Sequence, residues 1–413
     1  MSTAVVIGSG IAGLTAALRL QEAGVKPTIL TMGLGGLQLS QGTIDILGYN
    51  PDRVTNPLEA AGQVPAKHPY HTIGVKSVED GVRWLAGLVP DLVTGDPTTN
   101  VSLPTVVGAI RPTALYSPSM AAGILSGNVD VTIVGFKQFK DFYPELIAGN
   151  LSRQQTPDGG TITAHPFWVD FPVRKGESDT SAVNYARAFD HDANLEKLAW
   201  ELSKAPGAGP LGLPAFLGLK RIDGYARLSE LTQRKVFEIT GLPPSVPGMR
   251  LNEALRGIAR SRRIPIIQGA KAVGFTAEDG RITGVTVHAA GHDVTYKGDS
   301  VIYAGGGFAS GALQFDSYGK ISETLFGLPL VLPEGAPVHG DYWGKPQPLF
   351  EVGCATDASM RPVDSSGAVC YSNLYVVGDM LAGTNRWDEK SGEGIAIGSA
   401  TVAAAAASEA KEK

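Results

Sequence analysis

Cysteine is nearly missing from this chain: 413 residues hold two, Cys354 and Cys370, far apart in the sequence. Two thiols cannot ligate a four-cysteine iron–sulfur cluster, and without CxxC spacing they do not form a zinc or redox pair. They read as two buried thiols paired by chance in the count, since a disulfide is unusual in a reducing compartment. Long apolar runs are missing as well. No stretch of about 18 uncharged apolar residues occurs, which excludes a spanning helix. The tail 395–407 is apolar but short and alanine-rich, and Glu409, Lys411, Glu412 and Lys413 close it as the polar end of a packed helix. The start, Met1-Ser2-Thr3-Ala4-Val5-Val6-Ile7, has no basic segment and runs straight into a strand, unlike a signal peptide, so a cytoplasmic location is expected. Positive charge is not in excess either. The formal net charge is −5, which gives no electrostatic reason to expect nucleic acid as a partner.

Glycine, by contrast, is abundant, with 52 residues, which suggests tight turns and places where backbone approaches a ligand closely. Hydrophobic residues at 43% and a length of 413 allow two or three domains with a sizeable core. The most telling glycines come first. Residues 4–7 form a short apolar β run, Gly8-Ser9-Gly10-Ile11-Ala12-Gly13 follows, and residues 14–23 read as a helix with Leu14, Ala17 and Leu18 on one face. Gly24 stops that helix and residues 27–30 supply a second strand. A GxGxxG alone is weak evidence. Between a strand and a helix it lets phosphate approach the backbone at the positive end of a helix dipole.

Two later segments narrow the nucleotide. Val301-Ile302-Tyr303-Ala304-Gly305-Gly306 is a strand running into a glycine turn, and it resembles the second crossover of flavoproteins with two dinucleotide-binding domains. Asn373-Leu374-Tyr375-Val376-Val377-Gly378-Asp379 resembles the segment whose aspartate takes a ribityl hydroxyl in those proteins, a task suited to a carboxylate acceptor. Taken alone, Asp379 also reads as a helix cap. After it comes Lys390-Ser391-Gly392-Glu393-Gly394-Ile395 and a helix of small residues. Gly392 and Gly394 either let that helix start approach an isoalloxazine ring, where its dipole would favour negative charge, or simply allow close packing. One absence matters here. The second strand should end in an acid for the ribose of an adenosine half, yet it reads Ile29-Leu30-Thr31-Met32-Gly33. That favours FMN over FAD, with FAD as the alternative.

Between the two ends, residues 52–248 carry most of the prolines and several short elements, among them a strand at 131–134, a turn at 156–160 and a helix within 183–202. They read as an inserted cap. Residues 249–262 then form an amphipathic helix, and 264–268, 272–277, 282–289 and 292–296 read as a meander of hairpins that ends in the strand 300–303. The expected architecture is α/β: a Rossmann-like flavoprotein fold with a three-layer nucleotide-binding domain made of 1–51 and 249–413, and an inserted α+β cap of 52–248.

Five segments together resemble one family. They are Gly8 to Gly13, Leu39-Ser40-Gln41-Gly42-Thr43-Ile44-Asp45-Ile46-Leu47, Ala66-Lys67-His68-Pro69-Tyr70, Leu242-Pro243-Pro244-Ser245-Val246-Pro247-Gly248-Met249-Arg250-Leu251, and Thr356-Asp357-Ala358-Ser359-Met360-Arg361-Pro362. In this order they are similar to the B subunit of anaerobic glycerol-3-phosphate dehydrogenase, the fourth segment being the most specific; residues 163–173 match nothing in that family. The resemblance implies an FMN protein related to the flavoproteins of fumarate reductase and succinate dehydrogenase, with Ser40, Gly42, Thr43 and Ile395 joining the glycines and Asp379 around the flavin. It implies an FAD-containing A subunit that oxidises sn-glycerol 3-phosphate to dihydroxyacetone phosphate. It also implies an iron–sulfur C subunit that links the pair to the membrane and to quinone. A self-sufficient flavin oxidoreductase and a cofactor-free scaffold are the competing readings. Of His68, His165, His191, His339, Arg111 and Arg250, none has a spacing that assigns a role. Arg250 is the candidate because it lies in the specific segment and guanidinium pairs well with phosphate, its alternative being a capping or interface arginine.

Overall fold

The first apolar run becomes a strand because both of its faces are covered. In the computed structural model, which describes residues 2–341 and 344–410, Ala4, Val5, Val6 and Ile7 are all buried in strand β1 (Thr3–Ile7). A continuous apolar run is what a parallel strand with helices on both sides requires. The chain divides into two compact units: Met1–Gly36 with Asp45–Gly87 and Ala254–Lys413, and Leu37–Ile44 with Leu88–Glu253. The long segment of the second unit runs Leu88–Glu253, beside the expected 52–248, and residues 37–44 join it. The end of the apolar tail, Lys411, Glu412 and Lys413, lies outside the described residues, as does Met1.

In the first unit, β1 turns through the glycines into α1 (Ile11–Glu22) and back into β2 (Lys26–Thr31). Gly24, at φ 76°, supplies the left-handed residue that ends α1. Helix α2 (Val75–Leu88) follows, then α3 (Val246–Ser261), of which residues from Ala254 onward belong to this unit. Three more strands, β3 (Ile266–Gln268), β4 (Ser300–Tyr303) and β5 (Leu374–Val376), complete one sheet in the order β3-β2-β1-β4-β5. All four pairings are parallel. Two helices close the chain, α4 (Arg386–Glu389) and α5 (Gly392–Glu409). The small residues of α5 allow it to lie along α1, with Ala400, Ala403 and Ala404 buried.

One expectation is corrected. Residues 264–268 do not open the hairpin meander. Ile266, Ile267 and Gln268 pair in parallel with Ile29, Leu30 and Thr31 at the edge of the main sheet, because a short apolar strand after a helix can return as a crossover as readily as start a hairpin. The meander itself has three strands, Lys271–Glu278, Arg281–Ala289 and His292–Tyr296. Its two turns, Asp279-Gly280 and Ala290-Gly291, have positive φ at both positions, the conformation that suits two-residue hairpins. Of the two thiols, Cys354 is buried and Cys370 half-buried, and both are free.

The second unit carries its own four-stranded sheet, in the order Val236–Ile239, Leu211–Pro214, Val129–Phe136, Ile162–Val169. Every pairing in it is parallel. Its core is aromatic: Tyr185 stacks on Phe216 with ring centres 4.6 Å apart, and Phe136 meets both edge-on at 5.0 Å. Such pairs add to the burial of their area. No helix among the described residues of the chain is long and apolar enough to cross a membrane.

Candidate functional site

Three glycines of the first turn differ in what a side chain would meet. Gly8 has φ 106° and a Cβ there would run into the Ala304 carbonyl; at Gly13 a Cβ would run into the carbonyl of Gly8. These two are required by the protein's own packing, the first for the turn and the third for the close approach of α1 to the sheet. Gly10 is different. It is extended, at φ −71° and ψ −176°, and the nearest atom to a Cβ there is Gly36 N at 3.9 Å. A methyl would fit in the space in front of Gly10, at contact distance from Gly36 N, and no side chain among the described residues caps the start of α1. Helix amides without intrahelical partners therefore face that space, through Ile11, Ala12 and Gly13. Such a helix start could hold a phosphate through its backbone N–H groups and the positive end of the helix dipole.

The other glycine segments of the first unit gather at the same edge of the sheet. Ala304, Gly305 and Gly306 continue β4, with Gly306 at φ 82°, and Ser310 Oγ donates to the Gly305 carbonyl at 2.6 Å and the Gly307 carbonyl at 3.0 Å. Gly378, at φ 74°, follows β5. A Cβ on it would lie 3.2 Å from Ala12 Cβ and 3.9 Å from Ala396 Cβ, so it is wedged between the first turns of α1 and α5. Its N–H donates to Ser399 Oγ at 3.1 Å. Asp379 then presents a half-exposed carboxylate, paired with Arg386 Nε at 3.1 Å. Gly392 has only Arg386 Cβ near it, at 3.9 Å, whereas a side chain on Gly394 would strike the Tyr70 hydroxyl and crowd Ile46 Cα at 2.9 Å. Ile395 is fully buried, with its N–H on the Ser391 carbonyl at 3.0 Å.

Ser40, Gly42 and Thr43 belong to the second unit. Ser40 Oγ accepts from Gly42 N at 3.3 Å, and Thr43 Oγ1 accepts from Arg111 Nη1 at 3.0 Å. Gly42, at φ 74°, leaves no room for a side chain, since a Cβ would lie 2.5 Å from Pro247 Cβ. Arg250 is buried in the same unit. It donates to Glu238 Oε2 at 2.7 Å and Oε1 at 3.1 Å, and its Nε to the Gly218 carbonyl at 2.8 Å. Burial pushes the Glu238 carboxyl up, but the charge and hydrogen bonds of Arg250, with help from Ser119 and Leu217 N, hold it below the usual glutamate range. The geometry gives Arg250 the work of balancing a buried carboxylate.

The histidines are also engaged with their own chain. Tyr70 N donates to His68 Nδ1 at 3.1 Å, so the ring proton sits on Nε2 and is donated to Glu389 Oε2, also at 3.1 Å. Glu389 in turn accepts from Thr384 Oγ1 and Ser391 Oγ, and its own carbonyl takes Gly48 N and Tyr49 N. This buried knot fixes the turn into α5. His71 donates to the Val64 carbonyl at 2.8 Å, His165 lies 3.2 Å from Asp130, His191 precedes the helix Asp192–Leu202, and His339 sits in an exposed loop against Gln347. Arg386 and Glu389 carry no motif of their own; their partners Asp379 and His68 stand in motif segments, but only a fold brings residues 68 and 389 together.

At the tip of β2, Thr31 is buried. Its hydroxyl donates to the Gly33 carbonyl at 2.7 Å and lies 3.0 Å from Ser9 Oγ. The turn that follows rests on the glycine loop: a Cβ on Gly35 would lie 2.6 Å from Gly10 N and 2.7 Å from Gly10 Cα.

Residues 3–395 match the family model described as FAD binding domain, so the chain is a flavoprotein of that family. Over 426 aligned positions it is 30% identical to a probable anaerobic glycerol-3-phosphate dehydrogenase B subunit of Halobacterium salinarum, covering 99% of this chain and 98% of that one. It is 29% identical to an anaerobic glycerol-3-phosphate dehydrogenase B subunit of Yersinia pestis, covering 97% and 96%. The chain belongs to the family of anaerobic glycerol-3-phosphate dehydrogenase B subunits, flavin-dependent oxidoreductase proteins. A solved 3-ketosteroid Δ1-dehydrogenase from Sterolibacterium denitrificans covers 99% of this chain and all of its own at 11% identity and a TM-score of 0.45, a likeness too weak to carry an argument.

Proposed function

We propose that this chain is the FMN-carrying electron-transfer subunit of a quinone-linked anaerobic glycerol-3-phosphate dehydrogenase. Electrons from oxidation of sn-glycerol 3-phosphate on an FAD-containing A subunit pass through it to an iron–sulfur C subunit. The near full-length similarity to proteins named as B subunits supports that place in an assembly. The protein would lie at the inner face of the cell membrane through the C subunit.

The observation that carries the choice of FMN is the tip of β2. The position that should offer an acid to an adenosine ribose holds Thr31, whose hydroxyl is turned inward onto Gly33 and Ser9. In the proposed arrangement the face of Gly10 and the start of α1 hold the terminal phosphate. Gly305, Gly306, Gly378 and Asp379 line the ribityl chain, the Asp379 carboxylate accepting from a hydroxyl, and the Gly392 end of α5 faces the ring. Ile395, buried in the first turn of α5, supports that end of the cradle. A bound flavin supplies the capacity to take and release electrons; the chain's residues hold and orient it.

The passing role is supported by how the candidate side chains are spent. Arg250 balances Glu238, His68 is tied to Glu389 and His71 to a carbonyl, an arrangement that suits holding a structure more than shuttling substrate protons. The test is turnover by the purified chain alone, with an artificial acceptor and glycerol 3-phosphate. Bound flavin with negligible turnover is expected. Robust turnover would replace the proposal with a self-sufficient oxidoreductase, and a colourless protein that cannot be reconstituted would replace it with a scaffold.

A further inference from the structure

Behind the glycine turn lies a buried cation that the flavin site as described leaves unused. Arg256, on α3, is 2% exposed. Its Nη1 donates to Ser9 Oγ at 3.4 Å and its Nη2 to Gln268 Oε1 at 3.0 Å. Ser9 sits between Gly8 and Gly10 in the turn after β1. Gln268 is the last residue of β3 and pairs in register with Thr31 at the tip of β2. The guanidinium thus reaches the tips of β1 and β3, on either side of Thr31. In a doubly wound sheet, that flank is where a dinucleotide lays its adenosine ribose. Here an arginine, a glutamine and two hydroxyls are knitted together at that place.

We propose that Arg256 determines specificity for a flavin that ends in a single phosphate. It acts in two ways. With Ser9, Thr31 and Gln268 it fills the ground an adenosine would need, so a dinucleotide meets packed side chains. Its charge, one residue removed from Gly10, also favours a phosphate monoester, whose charge at neutral pH is close to two negative units. Because the cation is buried, that attraction is screened less than at a surface. Arg256 acts through Ser9 and through space, so it is a positioning residue. The inference rests on the reading of the glycine turn as the flavin phosphate site.

The test separates charge selection from mere support of the fold. The full chain is freed of flavin and titrated with riboflavin, FMN and FAD by fluorescence quenching, as the wild type, Arg256→Gln and Arg256→Lys. The wild type is expected to bind FMN about tenfold or more tighter than riboflavin or FAD, and Arg256→Gln to lose about tenfold for FMN while riboflavin stays within about twofold. Arg256→Lys keeps the charge but not the fork, and is expected to lose about threefold for FMN with riboflavin unchanged. Equal losses for FMN and riboflavin, or no loss in either variant, would overturn the role of Arg256. If the glutamine variant does not fold, the lysine variant decides by the same FMN-to-riboflavin ratio. A wild type that binds FAD as tightly as FMN would instead sink the mononucleotide reading itself, whatever the variants do.

Discussion

Two helices of the first unit start at the same edge of the parallel sheet, and both starts are rich in glycine, yet they are built for different ends. At α1, a methyl on Gly10 would have room, with Gly36 N at contact distance, 3.9 Å. At α5, Gly394 is filled by Tyr70 and Ile46, and the turn before it is tied down by Glu389 and His68. A glycine at a helix start therefore does not by itself mark a ligand. What marks one is a missing side chain that the protein does not need for its own packing. By that measure Gly10 is the glycine of its loop proposed to face the ligand, Gly8 and Gly13 are required by the chain's own packing, and Gly394 keeps α5 close to Tyr70 and Ile46.

The contrast can be broken most forcefully at the first loop. Gly13→Ala drives a methyl into the Gly8 carbonyl and is expected to cost about 3 kcal/mol or more, read as a lower urea midpoint. Gly10→Ala is expected to leave the flavin-free protein within about 0.5 kcal/mol of wild type but to weaken flavin binding about 100-fold or more, since the methyl would occupy the place proposed for the phosphate. A Gly10→Ala protein that is purified with a full complement of flavin would mean the loop is not the phosphate site.

The second helix start sharpens the contrast at lower amplitude. Gly394→Ala should destabilise the fold by roughly 1–3 kcal/mol, and Tyr70→Phe in the same chain should recover part of that by removing the hydroxyl that is struck; additive losses would show that the clash lies elsewhere. Next comes pH. Burial raises the Glu389 carboxyl, but hydrogen bonds from His68, Thr384 and Ser391 outweigh it and hold the group below its ordinary 4.5. A depressed carboxylate contributes stability above its unfolded value, and the contribution is lost as pH falls from about 4.5 through the folded value. Acid unfolding of the wild type should therefore steepen below that point, and Glu389→Gln should flatten the profile there; identical profiles would remove Glu389 from the stability of this turn. Smallest of all is Gly392→Ala, with only Arg386 Cβ nearby at 3.9 Å. It is expected to shift stability by less than about 0.5 kcal/mol, and any change should be seen in the flavin absorption spectrum instead.

Much of this was legible because it is local. Strand, glycine turn, helix and strand follow one another within residues 3–31, and the turn pairs Asp279-Gly280 and Ala290-Gly291 announce hairpins by chemistry alone. The short strand Ile266–Gln268 was misplaced because three apolar residues do not say which neighbour they pair with, and parallel pairing to residues 29–31 is a long-range fact. The second unit's sheet was only glimpsed at 131–134: Leu211–Pro214 and Val236–Ile239 are four buried residues each, too short for periodicity to speak. At the site, the glycines and Asp379 were visible as motifs. Arg386, Glu389 and Arg256 were not, since each matters through a partner brought close by the fold, His68 to Glu389 across 321 positions and Arg256 to Ser9 across 247.

The most direct test of a phosphate site built for a mononucleotide is the mass of the cofactor itself. Protein purified with its native flavin is denatured, and the released molecule is weighed by mass spectrometry. FMN is the result expected from an uncrowded Gly10, an inward-turned Thr31 and an arginine at the tips of β1 and β3. FAD would contradict it.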